Sequence, residues 1–77
     1  MTAKELTNQI ISRGYNSMSV KQAAWFESMA AADPSINCNS ANSKTSYSWR
    51  EGENLVFVDV NKFSFTAKIQ ILKDKVA

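Results

Sequence analysis

The chain has 77 residues, with nine basic and seven acidic side chains and a formal net charge of +2. That length suits one small domain over residues 1–77, with a stability of about 5 kcal/mol or less. The charge balance excludes an acidic mimic of DNA and is too weak to demand nucleic acid as a partner.

The residue inventory narrows the chemistry further. There is no histidine and one cysteine, Cys38. Ser–His–Asp and Cys–His catalysis are therefore excluded within the chain, and a four-ligand zinc site cannot be completed. The glycines, Gly14 and Gly52, form neither a Walker loop nor a dinucleotide fingerprint. Glu51 and Glu53 fall in a predicted turn and Asp33 at a predicted helix end, so the carboxylates read as solvated charges. The expectation is a non-enzyme with no cofactor and no metal. No stretch approaches the ~20 apolar residues of a membrane span, and Met1–Glu5 lacks the apolar run of a signal peptide. A cytoplasmic, reducing compartment is expected, with Cys38 an incidental thiol, since no cation adjoins it in sequence.

In chain order, Thr2-Ala3-Lys4-Glu5 forms a capping box. A helix follows to about Arg13, with Leu6, Ile10 and Ile11 as its apolar stripe and Gly14 as its stop. Ser19-Val20-Lys21-Gln22 is a second capping box. It opens a helix carrying Val20, Ala23, Ala24, Trp25, Phe26, Met29 and Ala30 that ends at Asp33-Pro34. Trp25 and Phe26 point about 100° apart; the expectation is a broadly buried helix, the alternative being one ring toward the sheet and the other toward the first helix or a partner. Ser35–Ser43 reads as a loop.

The run Ile10-Ile11-Ser12-Arg13-Gly14-Tyr15-Asn16-Ser17-Met18-Ser19-Val20-Lys21-Gln22 resembles a helical hairpin recurrent in phage and mobile-element proteins. Those hairpins show a first helix, a glycine, a serine cap and then Lys-Gln opening the second helix. The likeness covers about residues 5–32, with Met18 where such hairpins usually carry leucine. It implies a phage-type origin and carries no activity with it.

From Thr45 to Leu72 apolar and polar residues alternate, the period of strands with one buried and one wet face. Three strands are expected, at about Lys44–Arg50, Leu55–Val60 and Phe63–Leu72. Turns fall around Gly52 and at Asn61-Lys62. Even-length loops at both turns put Tyr47, Trp49, Val56, Val58, Val60, Phe63, Phe65 and Ala67 on one face. The predicted fold is α+β: an α-helical hairpin packed on one face of a three-stranded antiparallel β-meander (ααβββ).

The other face would carry Ser46, Ser48, Arg50, Leu55, Phe57, Asp59, Ser64, Thr66, Lys68 and Gln70. Phe57 and Leu55 between Arg50 and Lys68 make an apolar spot rimmed by cations, which reads as a partner contact. It reads equally as a half-exposed ring shielded by the stems of Arg50 and Lys68. The leading expectation is a small phage-type accessory module that modulates a host or phage protein. One alternative is single-stranded nucleic acid, bound by Arg50, Phe57, Lys62, Lys68, Lys73 and Lys75. Assigning Phe63 and Phe65 to the core weighs against this base-stacking reading. The other alternative is a homodimer joined through exposed edge strands.

Overall fold

The computed structural model describes residues 1–73. It is an α+β fold of two helices and a five-stranded antiparallel sheet. In chain order the elements are α1 (Ala3–Ser12), β1 (Ser17–Met18), α2 (Val20–Ala30), β2 (Asn37–Ser40), β3 (Lys44–Glu51), β4 (Asn54–Asn61) and β5 (Ala67–Lys73). The strand order across the sheet is β1-β5-β4-β3-β2.

Both helix starts form as their sequences require. Thr2 Oγ1 accepts from the Glu5 amide, and Ser19 Oγ from the Gln22 amide, with the reciprocal carboxylate and carboxamide bonds in place. α1 ends in a Schellman motif: Gly14 N–H donates to Ile11 O and Tyr15 N–H to Ile10 O. Gly14 has a φ of +85°, which the absent Cβ permits.

The helices cover one sheet face, and the core lies between them. Leu6, Ile10, Ala23, Phe26 and Ala30 meet Tyr47, Trp49, Val56, Val58, Val60, Ala67 and Ile69 there. Phe26 is its centre: it is fully buried, edge-on to Tyr47 at 5.3 Å and stacked on Trp49 at 6.0 Å between ring centroids. Its neighbour Trp25 is 52% exposed, so α2 is one-sided rather than broadly buried, and Ala24 is exposed too.

The β3–β4 hairpin has the expected register, with Trp49 opposite Val56 and Tyr47 opposite Val58. Its two-residue turn is Gly52-Glu53, Gly52 having a φ of +63°.

The expected meander is corrected in two ways. First, the sheet has five strands, not three. β1 forms in the helical hairpin's connection and pairs with β5 at Ala67 and Lys68, while β2 forms inside the expected loop and pairs with β3 from Thr45 to Ser48. Neither has an apolar alternation to announce it: β1 is two residues long, and all four residues of β2 are exposed. They form because β3 and β5 would otherwise present unpaired backbone at both edges.

Second, the β4–β5 turn is not Asn61-Lys62. Val60 pairs with Ala67, Val58 with Ile69 and Val56 with Ile71, so β5 starts four residues later than expected. An even shift keeps the parity of the strand, and Ala67 and Ile69 stay on the core face. Phe63 and Phe65, expected there, lie outside in a Lys62–Thr66 loop, 76% and 61% exposed. Asn61 nucleates this loop by accepting from the Phe63 and Ser64 amides through Oδ1, at 2.7 and 2.9 Å. Phe26, Tyr47 and Trp49 already form one aromatic cluster on the core face, and Ala67 and Ile69 add less volume to that core than two phenylalanines would.

Candidate functional site

The sheet face opposite the helices carries the candidate residues. Alternation along β4 turns Leu55, Phe57 and Asp59 to this face, and pairing aligns them with their neighbours. Leu55 lies between Arg50 on β3 and Leu72 on β5; Phe57 lies between Ser48 and Gln70; Asp59 lies between Ser46 and Lys68.

The four sequence-predicted contact residues therefore share one face, with one adjustment. Arg50 and Lys68 are not directly beside Phe57. They sit on its two diagonals, one pair step away on β3 and on β5, where long side chains still reach a ring. Phe57 and Leu55 are half-buried, while Arg50 and Lys68 are exposed.

Leu72 belongs to the same site and was missed. It is 45% exposed and directly opposite Leu55. The signal was present: Leu72 has the parity of Lys68 and Gln70, which put it on the wet face. Leu55, Phe57 and Leu72 together form an apolar strip across β4 and β5, with Arg50, Lys68 and Gln70 around it. β2 extends the face with Asn37 and Asn39, opposite Ser48 and Ser46.

The electrostatics of this face are mildly cationic. Asp59 Oδ2 lies 3.5 Å from Lys44 Nζ, a loose surface pair worth little in water. Lys68 makes no ion pair among the described residues. Of the residues expected to support nucleic-acid binding, Lys62 donates to Ser40 Oγ at 2.7 Å and Lys73 is exposed at the end of β5. Lys75 lies outside the described residues.

On the opposite face the polar side chains serve packing contacts. The Tyr47 hydroxyl donates to Glu27 Oε2 at 2.8 Å, and burial, followed by that carboxylate, pushes its pKa far above the ordinary tyrosine value. Such a phenol is held neutral and serves the helix–sheet contact. Trp49 is 2% exposed, and its indole N–H finds no acceptor among the described residues. Cys38 is exposed, opposite Tyr47 on edge strand β2. Asp33 is held below the usual carboxylate range by the Ser35 hydroxyl and then the Ser35 amide, both donating to its Oδ1 as the chain turns out of α2. Among the described residues no group of three His, Cys, Asp or Glu side chains is placed to hold a metal, and no helix is long and apolar enough to cross a membrane.

Comparison with protein-family models, with curated proteins and with solved structures finds no match to this chain.

Proposed function

We propose that the chain is a non-enzymatic binding module, a small phage-type accessory protein working in the cytoplasm, whose open sheet face docks a protein partner. The observation that carries this reading is the Leu55–Phe57–Leu72 strip on the sheet face opposite the helices, which no element of the described residues covers. An uncovered apolar strip set on rigid strands and ringed by polar groups is the anatomy of an interface centre and rim. Arg50 and Lys68 around it define the partner's chemistry: an apolar knob or ridge with carboxylates beside it. The resemblance of the helical hairpin to those of phage proteins supports the phage-type origin.

The test is capture of a bacterial partner by the wild-type chain, followed by titration of the purified pair. Phe57→Arg is expected to keep the thermal midpoint near that of the wild type and to weaken binding at least about tenfold, as removal of a central interface residue does. If no saturable protein partner emerges, or if Phe57→Arg binds as the wild type does, this reading is lost.

A further inference from the structure

The end of the molecule at the β4–β5 loop has a different character from the open face. Phe63 and Phe65 stand outside the fold there, on a loop that is tightly held. Asn61 N–H donates to Thr66 O at 2.8 Å, Phe65 N–H to Asn61 O at 2.9 Å and Lys62 N–H to Ser43 O at 2.9 Å. The Ser64 and Thr66 hydroxyls lie 2.8 Å apart. Phe65 takes a φ of +61°, a left-handed conformation that disfavours a bulky side chain. Glycine or asparagine would suit that backbone better, and the Phe65 ring buries little. Folding alone gives no reason for an aromatic residue here.

Beside this loop a groove of about 550 Å³ opens between the helical hairpin and the start of β5. Arg13, Tyr15, Gln22, Thr66 and Lys68 line it over the buried Met18, and none of the carboxylates among the described residues does. Tyr15 is 65% exposed. Arg13 and Lys68 make no ion pair among the described residues, whereas Lys62 turns the other way, its Nζ donating to Ser40 Oγ on β2 at the opposite edge of the sheet. Asp59 stands opposite Lys68 across the β4–β5 pairing and is bridged by Lys44. The acidic turn, Glu51 and Glu53, is at the far end of the sheet.

We propose that this end binds single-stranded nucleic acid, with Tyr15, Phe63 and Phe65 stacking on bases and Arg13 and Lys68 meeting phosphates. Planar apolar surfaces alternating with anions are the makeup of an unpaired strand, and exposed rings beside a cationic groove are what such a strand requires. Rings spread over two loops and a groove reach more than one base, which selects a strand over a free nucleotide. A duplex keeps its bases stacked inside and leaves these rings without a partner. The site is distinct from the Phe57 strip and shares only Lys68 with it.

Fluorescence anisotropy of labelled oligothymidylate and oligouridylate, titrated with the full chain at low and moderate salt, tests this. Saturable binding that weakens with salt is expected. Phe65→Asn, whose side chain tolerates the left-handed backbone, is expected to keep or raise the thermal midpoint and yet weaken binding about fivefold or more. Phe65→Tyr retains binding, and Lys68→Ala weakens it while flattening its salt dependence. The proposal is overturned if neither oligonucleotide binds at low salt, or if Phe65→Asn binds as the wild type does. Association with anionic phospholipid vesicles without oligonucleotide binding would assign the rings to a membrane surface and equally overturn it.

Discussion

Val60 faces Ala67 across the β4–β5 ladder, and this one pairing sets the character of both ends of the molecule. It places a small side chain beneath the helical hairpin, next to buried Met18 on β1. It also releases Phe63 and Phe65 into the loop that precedes β5.

Enlarging that small residue tests the register. Ala67 is 2% exposed and lies in a filled layer. Ala67→Phe is expected to cost about 1–3 kcal/mol through overpacking. Phe63→Ala, at a position 76% exposed, is expected to change stability by no more than about 0.5 kcal/mol. Urea titrations of the two variants give the comparison; a large loss on Phe63→Ala would contradict the register.

The left-handed Phe65 predicts a stabilising substitution. Phe65→Gly removes a conformational penalty of roughly 1–2 kcal/mol and adds unfolded-state entropy of about 0.5–1 kcal/mol against the fold. A net gain of about 0.5–1 kcal/mol is expected, read as a higher urea midpoint with an unchanged slope.

Trp49 combines a large buried ring with a donor that has no acceptor among the described residues. Trp49→Ala is expected to cost about 3–5 kcal/mol, close to the whole stability of a domain this small. Trp49→Phe keeps most of the stacking on Phe26 and removes the orphan N–H, itself a burden of about 1–3 kcal/mol. Its net cost is expected to be under about 1.5 kcal/mol by thermal denaturation. Equal losses in the two variants would show that the indole N–H is satisfied.

Tyr47 predicts a pH dependence. Its pKa is raised in the folded state by burial first and then by Glu27, whereas an unfolded tyrosine titrates near 10.0. A raised folded value means that the native state holds the proton more tightly than the unfolded chain. The contribution is fully present below pH 10.0 and is lost progressively as pH climbs from there toward the folded value. Urea midpoints taken from about pH 8 to about pH 11 should fall for the wild type and fall less for Tyr47→Phe.

Much of the architecture was legible because it is local. The two capping boxes, the Gly14 stop and the Gly52 turn depend on residues within a few positions of one another, and each formed as read. The β3–β4 register was legible because a two-residue loop leaves it little freedom. The placement of Arg50, Leu55, Phe57 and Lys68 on one face followed from alternation alone, and Leu72 could have been found by the same parity.

What the chain determined by itself, then, is parity and local signals: which residues share a face and where the helices start. Tertiary structure decided translation along the ladder and the membership of its edges. A shift of four residues preserves every alternation, so periodicity cannot detect it; what differs is whether small Ala67 or bulky Phe63 packs beside Val60. β1 and β2 were invisible for a related reason: their pairing satisfies the backbone of β5 and β3, a demand that exists only once those strands are in place.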